Sequence, residues 1–180
     1  MRIWTKTGDD GSTGLLYGGR TSKADLRVEA YGATDEAVAA IGLARSGADD
    51  GLRPILLRLQ RELFVAGAEL ATAPDNHRKL SADKGTKVTS AMVDGLEGLL
   101  VEYEGRTEMP KEFVIPGETT VSAALDLARS IVRRAERRAV ALSEAGGLAD
   151  GECVRYLNRL ADLLFMLARF EERGFTPLHG

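Results

Sequence analysis

The chain is short of the residues that build metal centres and nucleophilic active sites. Its 180 residues include one cysteine, Cys153, and two histidines, His77 and His179. A single thiol excludes an internal disulfide framework and any cysteine-rich zinc or iron–sulfur site, so a reducing compartment is the expected one. Cys153 itself reads as a small packed residue. His77 falls in a loop and His179 in the tail, so the Glu-x-x-His pairs of di-iron bundles are missing and no Ser-His-Asp or Cys-His arrangement is expected on the helices; no protein-ligated metal and no protein nucleophile is expected. No apolar run approaches the roughly 18 residues of a membrane span, and the N-terminal MRIWTKTGDD has no signal-peptide core. A cytoplasmic protein without a membrane partner is the expectation. With 24 Lys and Arg against 27 Asp and Glu, a net charge of -3 lacks the basic excess of a general nucleic-acid binder.

What is present is an ordinary globular balance, 44% hydrophobic and 28% charged, in a length suited to one domain over residues 1–180. Residues 1–22 carry glycines at 8, 11, 14, 18 and 19 with no helical period and read as a loop. From Lys23 the spacing turns helical and continues to Gly174, leaving 175–180 as a tail. Val28, Tyr31, Asp35, Val38 and Gly42 mark a first helix to about Ser46, with Asp35 on its apolar stripe. Leu52, Leu56, Leu59, Leu63, Ala66 and Leu70 mark a second over about 51–72. A long connection over 73–88 precedes a third helix from about Thr89 to Tyr103. Pro110 and Pro116-Gly117 bracket a short apolar segment, Glu112-Phe113-Val114-Ile115. A fourth helix runs from about Thr119 to the stop at Gly146-Gly147, and a fifth over about 150–173. Five long helices without alternating strands predict an all-α, five-helix up-and-down bundle.

Three arginines, Arg129, Arg133 and Arg137, recur at i, i+4 and i+8 on the fourth helix. Such a run is either a solvated or ion-paired face or a grip for a polyanion. Leu125, Val132 and Glu136 border it, which puts Arg129 and Arg133 at the edge of the apolar stripe and calls for partners. Asp35, Asp162 and Asn158 are the candidates. In the N-terminal loop, glycines permit close backbone approach, and hydroxyls and amides beside Lys6 and Lys23 suit phosphate oxygens. The stretch from Gly14 to Thr21 nearly matches a P-loop, but Arg20 replaces the lysine and no strand–helix unit surrounds it, so that reading is rejected. Phe113 is either a core anchor or a ligand contact.

Four blocks together resemble the PduO-type ATP:cob(I)alamin adenosyltransferases. They are Thr5-Lys-Thr-Gly-Asp-Asp-Gly11 with Lys23; Tyr31-Gly-Ala-Thr-Asp-Glu36; Phe113-Val-Ile-Pro-Gly117 followed by Ala128-Arg-Ser-Ile-Val-Arg-Arg-Ala-Glu-Arg137; and Tyr156-Leu-Asn-Arg-Leu-Ala-Asp-Leu-Leu-Phe165. The resemblance implies a homotrimer with sites between subunits. Its substrates would be ATP with Mg²⁺ and cob(I)alamin, and its products adenosylcobalamin and triphosphate. It implies ATP binding by Thr5, Lys6, Thr7, Gly8, Ser12, Thr13, Lys23, Arg133, Glu136, Arg137 and Asn158. It also implies a corrinoid site with Phe113 below cobalt and an Asp35–Arg129 salt bridge across the subunit boundary. Arg133, Phe113, Asp35 and Arg129 would carry the catalysis. A reductase supplying Co(I) and an adenosylcobalamin-dependent enzyme are the implied partners. Glu118, Asp126 and Ala161 depart from the family's Gly, His and Ser, and each falls near the implied site.

Overall fold

The computed structural model describes residue 4, residues 6–172 and residues 174–179. Five helices dominate it: α1 (Leu26–Gly47), α2 (Leu52–Leu70), α3 (Ser90–Glu104), α4 (Thr120–Glu144) and α5 (Glu152–Glu171). Their starts follow local chemistry. Asp25 caps α1 by accepting from the Arg27 amide, which holds its carboxyl below the usual range, while Thr119 and Ser122 close a reciprocal capping box on α4. Gly146, at φ 72°, ends α4 as the sequence predicts.

Packing follows the alanine pattern. α1 buries Ala30, Ala33, Ala37, Ala40 and Ala44, and α4 buries Ala124, Ala128, Ala135 and Ala139. Small side chains on both let these two helices lie close, and α1–α4 is the most extensive helix pair. α2 packs on the other side of α1, and α5 on α4, with α3 beyond α5. Tertiary contacts fix the directions. Glu36 meets Arg134 and Glu29 meets Arg138, so α1 and α4 are antiparallel; Glu97 meets Arg159 and Tyr103 meets Phe170, so α3 and α5 are parallel. Successive helices therefore alternate up and down, as expected.

Two small antiparallel pairs stand outside the helices. β1 (Ser12–Gly14) pairs with β2 (Arg20–Ser22), so the N-terminal loop is an ordered hairpin and the near P-loop stretch is its turn. The hairpin docks through Leu16, which donates its amide to Ala71 O at 3.0 Å. β3 (Val114–Ile115) pairs with β4 (Thr176–Pro177). The segment read as the tail is thus bound to the loop carrying Phe113, and the Leu178 amide donates to Phe113 O at 2.8 Å. The 73–88 connection contains a short 3-10 turn over Pro74–Lys79. Cys153 is buried, and burial raises its thiol well above the ordinary value.

Glu69 is a fully buried carboxyl. Its Oε2 accepts the Val88 amide at 2.7 Å, while Oε1 has no hydrogen-bond partner among the described residues. Burial pushes its pKa up to about 7, the Val88 bond opposes that, Asp150 and Glu152 add to it, and Lys87 subtracts. Folded Glu69 therefore holds its proton to higher pH than the unfolded chain, whose value is near 4.5. Folding takes up protons between those values, so stability falls as pH rises through that window, by up to about 3 kcal/mol. Thermal unfolding at pH 5 and pH 8 is expected to show this loss in the native chain and a reduced loss in Glu69→Gln. The same loss in both would locate its source elsewhere.

Candidate functional site

The fourth helix carries two adjacent arginine pairs, and the fold separates their members. Arg134 pairs with Glu36 of α1, and Arg138 lies 3.3 Å from Glu29. Arg133 and Arg137 are exposed, with no ion pair or hydrogen bond among the described residues. Neighbouring helix positions lie about 100° apart, so one member of each pair faces α1 while the other faces solvent near α5. The ion-paired face exists, but it belongs to Arg134 and Arg138.

Beside the unpaired arginines, Asn158 Nδ2 donates to Glu136 Oε1 at 2.9 Å. Arg159 completes a relay the sequence did not disclose. Its NH1 donates to Asn158 Oδ1 at 2.8 Å, and its Nε donates to Glu97 Oε1 at 2.9 Å. Both amide atoms of Asn158 are engaged, which sets the orientation of its side chain. Residues i and i+1 do not share a helix face, so only the length of the Arg159 side chain and the packing of α3 create the contact. Arg159→Ala is expected to raise the KM for a ligand held by the Asn158 amide about threefold to tenfold through loss of that orientation, equivalent to about 0.7–1.4 kcal/mol. Steady-state kinetics check it, and an unchanged KM would leave Arg159 outside the site.

Within one chain, among the described residues, the partners expected for Arg129 and Arg133 are not paired with them. Asp162 lies 4.0 Å from Arg159, Asn158 serves Glu136, and Asp35 has no ion pair among the described residues. Asp35 is exposed, so its place on the apolar stripe is corrected: it lies at the rim of a groove of about 370 Å³ with Tyr31, Thr34, Val38 and Phe64. Arg133 is exposed and not at a buried margin.

Phe113 is 81% exposed, which rules out the core-anchor reading. Its loop forms one wall of a cavity of about 440 Å³; Asp126, Arg129, Phe165 and Arg169 form the other. Arg129 stacks over Phe165 with its guanidinium carbon 5.3 Å from the ring centroid. Two of the unusual residues have partners. Asp126 pairs with buried Arg169, and Glu118 accepts a hydrogen bond from Thr176 of β4. Ala161 is buried.

The hairpin gathers a third group. An added Cβ at Gly8 would lie 3.1 Å from Lys23 Nζ and 3.2 Å from Ser12 O, so a side chain there would push the ammonium back by a few tenths of an ångström. Lys6 has φ 61° and its ammonium lies 5.4 Å from the Trp4 ring centre. Arg20 NH2 donates to Thr7 O at 2.6 Å, and Arg20 Nε donates to Ser12 Oγ at 3.1 Å. Thr13 pairs with Thr21 across the hairpin. Thr5 lies outside the described residues. Arg20 organises this loop, a role hidden from sequence because it depends on the hairpin register. None of Lys6, Gly8, Ser12, Thr13 and Lys23 is hydrogen-bonded or ion-paired to Arg133, Glu136, Arg137 or Asn158 among the described residues. A single chain therefore presents three clusters: the hairpin, the α4–α5 polar face and the Phe113 cavity, with Asp35 on a separate groove.

Residues 3–171 match the family model described as cobalamin adenosyltransferase. The corrinoid adenosyltransferase of Citrobacter freundii is 41% identical over 172 residues, covering 95% of each chain. That of Bacillus subtilis (strain 168) is 42% identical over 175 residues, covering 94% of this chain and 86% of its own. Among solved structures, a phenylalanine-to-histidine variant of the PduO-type ATP:corrinoid adenosyltransferase from Lactobacillus reuteri, complexed with cobalamin and ATP, superposes with a TM-score of 0.89. It is 30% identical, with 99% of this chain and 97% of that one covered. An arginine-to-lysine variant complexed with ATP gives 0.84 at 31% identity, covering 98% and 100%.

Proposed function

This chain belongs to the cobalamin adenosyltransferase family, and from that premise we propose how its residues carry the reaction. The enzyme transfers the 5'-deoxyadenosyl group of ATP to cob(I)alamin, giving adenosylcobalamin and triphosphate. The Co(I) electron pair forms the bond to C5', the C5'–O bond breaks with its pair leaving on triphosphate, and cobalt rises formally to Co(III). Co(I) is itself the nucleophile. What remains for the protein is alignment of the reactants, worth up to roughly 7–11 kcal/mol in well-oriented systems, and stabilisation of charge on the leaving group.

The observation that carries the assignment is the pair of exposed arginines without carboxylate partners, Arg133 and Arg137, beside the Asn158–Glu136 hydrogen bond. They grip the triphosphate. The hairpin contributes Thr5, Lys6, Thr7, Gly8, Ser12, Thr13 and Lys23 as a second set of phosphate and nucleoside contacts. Mg²⁺ enters on the triphosphate. Among the described residues none of Lys6, Gly8, Ser12, Thr13 and Lys23 is bonded to Arg133 or Arg137, in keeping with a homotrimer in which the hairpin of one subunit closes over α4 of the next. Asp35 and Arg129, likewise unpaired with each other here, meet across the same boundary beside the corrinoid. Phe113 covers the lower face of cobalt, keeps an axial ligand away and so eases reduction of Co(II) to Co(I). A reductase supplies that electron, a dependent enzyme takes the product, and the cytoplasm is the compartment. Among the described residues no helix is long and apolar enough to cross a membrane.

The test is an anaerobic spectroscopic assay for adenosylcobalamin with ATP and reduced cobalamin. Product and triphosphate in equal amounts support the reading; bound ligand without triphosphate release would make the protein a carrier. ATP at a hundredfold its Kd should also add about 2.7 kcal/mol to stability.

A further inference from the structure

Beneath the Phe113 cavity lies a buried charge cluster that the assignments above leave without a role. Arg169 of α5 is 2% exposed. Its NH2 donates to Asp126 Oδ2 and to Glu172 Oε1, the latter at 2.8 Å, and its guanidinium carbon lies 4.9 Å from the Phe165 ring centroid. Arg129 occupies the same ring at 5.3 Å. Two guanidinium groups thus share one aromatic ring, and both line the cavity with Asp126 and Phe113.

Asp126 and Arg129 are three residues apart on α4, the spacing at which a carboxylate and a guanidinium readily pair. They do not pair: the Asp126 carboxylate is taken by Arg169. A planar guanidinium held by two carboxylates and packed on a ring is fixed in direction as well as charge. We propose that Arg169 is a positioning residue of the corrinoid cavity: by holding Asp126 it keeps that carboxylate off Arg129, so that Arg129 faces the cavity free to act. This rests on the corrinoid assignment above. Arg169 touches no reacting atom, and Asp126 is the group it restrains.

The arrangement makes a reciprocal prediction. Arg169→Gln keeps a donor for Glu172 but releases Asp126 to pair with Arg129, so the KM for cob(I)alamin should rise at least about fivefold while the KM for ATP stays within about twofold. Asp126→Asn in the same chain removes the competing carboxylate and should return the cob(I)alamin KM to within about twofold of the native value. A purely structural ion pair predicts instead that stability falls in Arg169→Gln and recovers in the double variant while the KM values for cob(I)alamin and ATP move together. Double-variant kinetics no better than Arg169→Gln, or an unchanged KM in Arg169→Gln, overturns the proposal. If Arg169→Gln fails to fold, Arg169→Lys takes its place, since its single ammonium cannot hold both carboxylates in the same fork. Equilibrium cobalamin binding, measured alongside by absorbance titration, should follow the same order of variants. Native chain that binds cobalamin but forms no product would overturn the reaction assignment and leave the affinity order to decide this proposal. Native chain that binds none would overturn both.

Discussion

Arg133→Ala is expected to slow adenosylcobalamin formation about a hundredfold, the usual loss when one preorganised donor to developing charge is removed. The expectation rests on what the fold does with adjacent arginines. Arg134 spends its charge on Glu36, whereas Arg133 has no carboxylate partner among the described residues. In Arg134→Ala an exposed ion pair is lost, a change worth about 0.2–1 kcal/mol of stability, and the rate should stay within about twofold. Arg133→Lys keeps the charge but loses the two-pronged geometry and should fall between. Because Arg133 is exposed, the alanine variant should retain native helicity, so circular dichroism separates a lost contact from a lost fold. Equal rates for Arg133→Ala and Arg134→Ala would remove the triphosphate from this face.

Phe113→Ala is the second large effect. The aromatic ring is 81% exposed, an orientation with no packing benefit to the bundle, so truncation should cost little stability. Val114 and Ile115 of the same loop are held by strand pairing with Thr176 and Pro177, which fixes where the ring stands. If its task is to exclude a lower axial ligand, turnover starting from Co(II) should fall at least about tenfold more than turnover from chemically pre-reduced Co(I), a difference of about 1.4 kcal/mol in the two barriers. Equal losses would assign the ring to corrinoid packing alone. The comparison is informative because both assays use one variant and one ATP site.

Local pattern was enough for the helices. The second expected span, 51–72, becomes Leu52–Leu70, and the fourth, beginning near Thr119, becomes Thr120–Glu144 with Thr119 as its cap. Apolar period and capping chemistry act within a few residues, so they can be read in order along the chain. The pairing of the tail was out of reach for the opposite reason. Thr176 and Pro177 pair with residues some sixty positions earlier, and nothing in their own neighbourhood signals a partner.

The site divides in the same way. Residue types in the four blocks pointed to phosphate and corrinoid chemistry, and the i, i+4, i+8 arginines of α4 were visible as a face. Their allocation was not: which arginine pairs with α1 and which stays open depend on the packing of α1 against α4, and the groove at Asp35 depends on the packing of α1 against α2. Arg159 reaching Glu97, and Arg169 drawing Asp126 away from Arg129, join side chains 62 and 43 positions apart. Sequence by itself determined helices, composition and the kind of chemistry, because those follow from short-range sterics and residue type. Tertiary structure alone decided which charges are neutralised and which remain available, because an ion pair depends on distances of a few ångströms between elements that are remote along the chain.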